Sequence, residues 1–305
     1  MLLYGLVFQN LALIALIRGL FFARPAPFGR KLWVVGGASA FLAGILLLGV
    51  WIYPPPLGAV FYLALFGAAC IRWLRQPAPD NAAGRASLFA AVGLAALGAA
   101  MIWQGVTGRI APDEPYLSLA SPLPEDAGYC VLSGGASVGL NLHYVVSAST
   151  AADFEKHSVD LIATNAQGFR TKSGLSHYPK PLSPEDYAVF GTPVIAPCTG
   201  EVVETENDKT DVLAGHKYRS RDGANIVLLS CDGREVLMAH FKQGSVRVSE
   251  GDTVSAGSVL GLVGNSGNTE EPHLHIHAQE EGDNGRLVPV PIRFEGRYLA
   301  RGDCL

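Results

Sequence analysis

Residues 264–279 of this 305-residue chain read GNSGNTEEPHLHIHAQ, a Gly- and Asn-rich turn followed by three alternating histidines. The apolar and polar alternation after the turn predicts a β-strand. In a strand, residues two apart project to one face, so His273, His275 and His277 would share a face. Three imidazoles in a row on one face indicate a functional role, and zinc binding is a common one. A surface cluster or a cloning artefact is the alternative, which the strand pattern and the internal position disfavour.

The surrounding sequence predicts an antiparallel β domain, because Val, Ile and Thr runs alternate with Gly, Asn and Asp turns. Asp160 lies within one run, where an unpaired buried carboxylate would be costly, so a metal ion, a base or a turn amide should be its partner. His240 lies near the end of another. The predicted strands are Val138–Val146, Ser158–Ala163, Thr192–Ala196, Gly200–Glu206, Asn225–Ser230, Glu235–Phe241, Val259–Val263 and His273–Gln279.

The motif PHLH at 272–275, behind its GNSGNT turn, resembles the HxH signature of the lysostaphin-type (LytM-like) zinc endopeptidases. Ala239-His240 resembles their separate upstream histidine, and residues 191–203 and 248–254 resemble their core hairpin and a later turn. This resemblance implies a mainly antiparallel, all-β zinc peptidase domain with Zn²⁺ as its cofactor. It also implies that His275 and Asp160 bind the zinc, and that His273 and His240 flank the reacting water as acid/base or transition-state-stabilising groups.

The third zinc ligand is where this sequence departs from the family. A catalytic zinc takes three protein ligands, and the usual third one, a histidine four residues before the aspartate, is replaced by Lys156. His157 lies at an odd offset from Asp160, on the opposite face of a regular strand, and would need a β-bulge to bind. His143 lies on the preceding predicted strand, which a hairpin would bring beside Asp160, and some relatives have a similar Asn-x-His strand.

We therefore predict that His143, Asp160 and His275 hold the metal, with a core or surface role for His143 as the alternative. The remaining histidines, His177, His216 and His277, are predicted to be surface or groove residues.

Residues 1–108 have a different composition, with seven bases, one acid and a net charge of +6, against −10 for the remainder. This asymmetry and the 16% of charged residues exclude a single soluble globule, and they exclude a nucleic-acid binder with one large basic face. A helix crosses a bilayer with about 20 apolar residues. A four-helix transmembrane segment is therefore predicted, from the uncharged stretches Met1–Ile17, Leu32–Tyr53, Leu57–Ile71 and Ala86–Gly108.

The orientation follows from the loops, because basic loops stay in the cytoplasm. The bases lie after the first and third stretches, and the Pro-rich loop after the second has none. The protein is thus predicted to be a multi-pass protein of the cytoplasmic (inner) membrane, with its C-terminal domain on the extracytoplasmic (periplasmic) side. The predicted organisation is residues 1–108 in the membrane, a Pro-rich linker at 109–126, and a peptidase domain at 127–305.

Four cysteines lie in the exported part, and an even number there indicates disulfides. Cys198 follows one predicted strand and Cys231 ends another, so we predict that these two pair, which leaves Cys130 with Cys304. Two other pairings are possible from sequence alone.

Export and the histidines together favour a membrane-anchored zinc endopeptidase that cuts peptides of the bacterial cell wall. The expected partners are a peptidoglycan peptide or protein substrate, the lipid bilayer and a regulatory membrane partner, with no nucleic acid. A non-catalytic relative that binds the wall or activates a hydrolase is the main alternative. A lipoyl-like carrier would leave the histidines unexplained, and a serine hydrolase is the least favoured alternative.

Overall fold

The structure is a computed structural model, which describes residues 2–51, 57–77, 86–124, 128–147, 153–174, 183–215, 223–283 and 285–305. The chain divides into two compact units, Met1–Thr107 and Gly108–Leu305.

Four helices form the first unit: α1 (Leu2–Phe21), α2 (Phe28–Leu48), α3 (Leu57–Leu74) and α4 (Ala86–Thr107). Each one overlaps a predicted apolar stretch. Three of them, α2, α3 and α4, are long and apolar enough to cross a membrane, and α1 is apolar over Gly5–Phe21. Large apolar side chains face outward, as shown by Phe8, Phe89 and Trp103, which are 67%, 74% and 68% exposed.

Glycines allow α2 and α4 to pack closely. Gly37 lies against the backbone of Ala91, and Gly98 lies against the backbone of Ala40, so neither position has room for a β carbon. Small residues at a helix crossing let two backbones approach, which is a common way to pack apolar helices.

The second unit is built around one large antiparallel sheet, in the order β2-β3-β10-β7-β6-β5-β8, with β11 also paired to β10. β1 and β12 form a parallel pair, and β4 and β9 form an antiparallel pair. The predicted mainly antiparallel β domain is thus confirmed. The strands are β1 (Leu117–Leu119), β2 (Tyr129–Ser133), β3 (Val159–Ala163), β4 (Pro193–Ile195), β5 (Gly200–Glu206), β6 (Ile226–Cys231), β7 (Arg234–Ala239), β8 (Thr253–Val254), β9 (Val259–Leu262), β10 (Leu274–Glu281), β11 (Leu287–Val290) and β12 (Ile292–Phe294).

The central strand β10 separates the core from the polar face of the sheet. It pairs with β7 along one edge and with β3 and then β11 along the other. Its side chains Leu274, Ile276 and Ala278 are buried in the hydrophobic core. Because alternate residues of a strand point to opposite faces, His275 and His277 lie together on the other face, as predicted.

The prediction of a strand at Val138–Val146 is wrong, because this segment forms turns and a short helix, α5 (Leu142–Ser147). The side chain of Asn141 accepts a hydrogen bond from the backbone N–H of His143 (3.0 Å) and thereby caps the helix. The position beside β3 is instead taken by β2. The alternation of apolar residues in this segment favoured a strand, although Asn141 is a residue type that commonly caps a helix.

Two further findings concern the ends of the second unit. The predicted linker at 109–126 contains β1, and Leu117, Leu119 and Leu123 belong to the hydrophobic core. Both predicted disulfides, Cys198–Cys231 and Cys130–Cys304, are present and confirm the predicted pairing. The second of these ties β2 to the C-terminal residues of the chain.

Candidate metal site and the surrounding histidines

The register between β10 and β3 places His275 directly opposite Asp160. Both side chains are buried, and Nδ1 of His275 lies 2.9 Å from Oδ1 of Asp160. The two residues are 115 positions apart in the chain, so sheet pairing alone brings them together.

His143 reaches the same carboxylate from the first turn of α5. Its Nε2 lies 3.2 and 3.1 Å from Oδ1 and Oδ2 of Asp160. The helix is held in place through Asn141, whose Nδ2 donates to the carbonyl oxygens of Gly135, Lys156 and Ser158. His143 therefore comes to Asp160 from a capped helix and not from the predicted strand hairpin.

His157, the other candidate for the third ligand, lies apart from this group. It is 2% exposed, its ring contacts Tyr144 with centroids 5.8 Å apart, and its Nε2 is 3.9 Å from Glu114. Burial and the charge of Lys156 lower the pKa of His157 to about 4. His157 is thus buried outside the group around Asp160, in a position where an uncharged imidazole is favoured.

His240 and His273 lie side by side, with ring centroids 4.6 Å apart. Nδ1 of His240 donates to the carbonyl oxygen of Ser266, and Nδ1 of His273 donates to that of Glu271, each at 2.7 Å. A neutral imidazole that donates from Nδ1 keeps its lone pair on Nε2. Nε2 of His273 is 3.7 Å from Oδ1 of Asp160, so its lone pair faces the carboxylate group.

The backbone at His240 is unusual, since its φ angle of 70° lies in the left-handed region. Non-glycine residues adopt this region at an energetic cost, and such residues are frequent at functional sites. Here the conformation turns the chain out of β7 and aims the imidazole toward His273.

The charges of the group are set by burial and by the carboxylate. Burial alone would raise the pKa of Asp160, but the charge of His143 and its hydrogen bond to the carboxylate hold this pKa well below its usual range. Burial lowers the pKa of His143, yet Asp160 beside it raises the value to about 10. Burial lowers the pKa of His240 to about 3 and also lowers the pKa of His273. The ionised carboxylate of Asp160 therefore lies beside a protonated His143, whereas His240 and His273 are uncharged.

The prediction that His277 is a surface or groove residue is wrong. It is 1% exposed, and its Nδ1 lies 2.9 Å from Nε2 of His275. Strand alternation places His277 on the same face as His275, but its burial comes from neighbours on other elements, such as Phe154. Its pKa is lowered to about 3, first by burial and then by His275. The other two histidines in that prediction, His177 and His216, lie outside the described residues.

The donor set of His143, Asp160 and His275 fits a zinc ion. Among the described residues, this is the group whose potential ligand atoms lie close enough, all within 4.8 Å of one another, to hold a metal. Two imidazole nitrogens and one carboxylate oxygen are ligands that zinc prefers, and three protein ligands leave one position for water.

Comparisons with known proteins match part of the second unit. Residues 185–287 match the sequence profile of Peptidase family M23. An uncharacterized metalloprotease of Haemophilus influenzae is 34% identical over 119 residues, which cover 38% of this chain. The match spans only 22% of the length of that relative.

Two solved structures are similar at lower identity. Lysostaphin of Staphylococcus simulans, described as an antimicrobial peptidase, is 21% identical, with 43% of this chain and 40% of that chain covered and a TM-score of 0.27. A zinc-containing peptidase of Vibrio cholerae is 17% identical. The match covers 53% of this chain and 37% of that chain, with a TM-score of 0.30.

The family match includes His240, His273 and His275, whereas His143 and Asp160 precede it. The resemblance that the HxH motif predicted is confirmed. Through residues 185–287, the second unit is similar to peptidase family M23, the family of the LytM-like metalloendopeptidases.

Proposed function

We propose that this protein is a membrane-anchored zinc endopeptidase that cuts peptide bonds in bacterial peptidoglycan. The observation that carries the proposal is the contact between a three-ligand donor group and two half-buried, uncharged imidazoles. In this assignment His143, Asp160 and His275 hold the zinc, and His240 and His273 are the catalytic residues. A bound zinc would supply a Lewis acid that activates water and polarises the scissile carbonyl.

The two catalytic imidazoles suit proton transfer. Each donates from Nδ1 to a backbone carbonyl, which fixes the ring and leaves Nε2 as a proton acceptor. Nε2 of one ring can take the proton of the attacking water and later give it to the leaving amine. The other ring can stabilise the developing oxyanion. The left-handed backbone at His240 helps to hold this arrangement before any substrate binds.

Three features support membrane anchoring with the second unit on the periplasmic side of the inner membrane. The helices expose large apolar side chains, which a bilayer would cover. The basic loops follow α1 and α3, as expected for cytoplasmic loops. Both disulfides belong to the second unit, and disulfides form in oxidising compartments outside the cytoplasm. Peptidoglycan lies in that compartment, although a protein substrate and a regulatory membrane partner fit the same location.

The test is metal analysis and wall digestion with the purified full chain in detergent. We expect about one zinc per chain, release of new amino termini from purified peptidoglycan, and loss of this release after chelation. Restoration by added zinc is the control for damage by the chelator. Zinc binding without any cleavage would contradict the enzymatic proposal and favour a non-catalytic wall-binding or hydrolase-activating role.

A further inference from the structure

We propose that His277 is a positioning residue, which fixes the nitrogen of His275 that carries the proton. It acts through a chain of hydrogen bonds along the polar face of β10 that ends at Glu235 on β7. The chain connects Nε2 of His275 with Nδ1 of His277 (2.9 Å), and Nε2 of His277 with Oε1 of Gln279 (3.1 Å). Gln279 then contacts Oε2 of Glu235 (2.8 Å). The proposal rests on the metal site of the proposed function.

The carboxylate at the end sets the direction of the whole chain. A carboxylate only accepts hydrogen bonds, so Gln279 must donate its amide N–H to Glu235. This leaves Oε1 of Gln279 as an acceptor, and Nε2 of His277 must therefore carry a hydrogen and donate to it. A neutral His277 protonated on Nε2 has its lone pair on Nδ1. Nδ1 of His277 then accepts from Nε2–H of His275.

This direction of the chain determines the protonation of Nδ1, the opposite nitrogen of His275. An imidazole that donates from Nε2 and remains neutral presents a lone pair at Nδ1. That lone pair faces Oδ1 of Asp160 at 2.9 Å, and two acceptors at this distance repel each other unless a cation lies between them. The chain thus prepares His275 to bind a metal ion together with Asp160.

The surroundings make the chain hard to replace by water. His277 is 1% exposed and Gln279 is 5% exposed, and the ring of Phe154 covers His277 with centroids 5.6 Å apart. A donor deprived of its partner at such a buried position costs free energy, because water cannot take the partner's place. Outer groups of this kind orient metal-binding histidines and raise their basicity.

His143 shows the simpler form of the same arrangement. Its Nδ1 lies 3.6 Å from Oε2 of Glu155, so a carboxylate lies directly behind this histidine. Behind His275 the carboxylate is that of Glu235, which lies farther away. His277 and Gln279 stand between the two and connect them by hydrogen bonds. Both proposed histidine ligands thus have a carboxylate on the side away from the metal.

Two isosteric variants of the full chain test the proposal. His277→Asn places an acceptor oxygen where Nδ1 stood, whereas His277→Leu has the same shape and no acceptor. Chelator competition should show zinc binding about 10- to 100-fold weaker in His277→Leu than in the wild type, the usual effect of losing such an outer group. His277→Asn should recover most of this loss. His157→Leu, which removes another buried imidazole outside the chain, is the matched control and should bind zinc as the wild type does.

The tautomers give a second readout that is independent of affinity. In zinc-loaded protein with ¹⁵N-labelled histidine, both His275 and His277 should be protonated on Nε2. Protonation of His277 on Nδ1, or equal zinc affinity in His277→Asn and His277→Leu, would overturn the positioning role. Failure of the wild-type chain to bind zinc is a different outcome, which would overturn the metal site itself and with it the proposed function.

Discussion

His273 and His275 are two residues apart and have the same side chain, yet their partners differ. His273 precedes β10, and its Nδ1 is held by the carbonyl of Glu271. His275 lies within β10, where its Nδ1 faces Asp160. Backbone position therefore decides which nitrogen is available, which is Nε2 in His273 and Nδ1 in His275. This difference suits the proposed roles, proton transfer for His273 and metal binding for His275.

Replacing either His273 or His240 by alanine should abolish turnover and leave the zinc bound, since neither is assigned as a ligand. Loss of one acid/base group typically reduces the rate by about 10²- to 10⁴-fold. The measurement is peptidoglycan cleavage together with metal content, for each variant. Zinc loss in either variant would show that the roles of ligand and proton carrier have been exchanged.

His143→Ala should lose zinc, whereas His157→Ala should keep it. The reason is that Nε2 of His143 lies 3.1 Å from Asp160, while His157 is buried beside Tyr144. Metal retention after dialysis, measured for both variants, checks the assignment. The opposite result would make His157 the third ligand and would require β3 to rearrange.

At the scale of elements, the site depends on a short helix that has little stability of its own. A helix as short as α5 is marginal in isolation, and Asn141 connects it to three separate backbone carbonyls. Asn141 is fully buried, so these hydrogen bonds cannot be exchanged for bonds to water. One polar side chain outside the metal site thus determines where His143 lies.

Asn141→Ala should therefore destabilise the protein by about 1–3 kcal/mol, through loss of the cap and of buried hydrogen bonds. It should also weaken zinc binding, because α5 is no longer fixed. Asn207→Ala is the control, since Asn207 also bridges backbone groups of another segment, at Val246, but belongs to no part of the site. Thermal unfolding and chelator competition on both variants separate the two effects. Wild-type zinc affinity in Asn141→Ala would contradict the role of the cap.

At the scale of the whole molecule, two units of opposite character share one chain. Residues 1–108 carry a net charge of +6, and residues 109–305 carry a net charge of −10. The free cysteine, Cys70, lies in α3, whereas the four disulfide-bonded cysteines all lie in the second unit. Charge and cysteine chemistry independently favour the same placement, with the second unit outside the cytoplasm.

A reporter that works only after export, fused just past Gly108, should be active. The same reporter fused after Gln76, in the basic loop that follows α3, should be inactive. Reporter activity in cells that express each fusion provides the measurement. An inactive fusion at Gly108 with an active one at Gln76 would overturn both the orientation and the argument for a wall substrate.

The sequence by itself determined whatever depends on local periodicity and composition. Apolar stretches of helix length predicted α1 to α4, alternation predicted most strands of the large sheet, and the HxH motif indicated the resemblance to the LytM-like endopeptidases. These features are readable because a helix or strand repeats its pattern every few residues. The family resemblance then indicated His240, Asp160, His273 and His275 as site residues. The pairing of the cysteines was one of three that the sequence allowed.

Only the tertiary structure decided which of these residues meet. His275 and Asp160 are 115 residues apart, and the register of β10 against β3 brings them into contact. The position of the helix that carries His143 depends on hydrogen bonds from Asn141 to residues up to 17 positions away. The burial of His277 depends on neighbours from other elements, such as Phe154. Contacts of this range leave no local periodicity, so the sequence pattern could not reveal them.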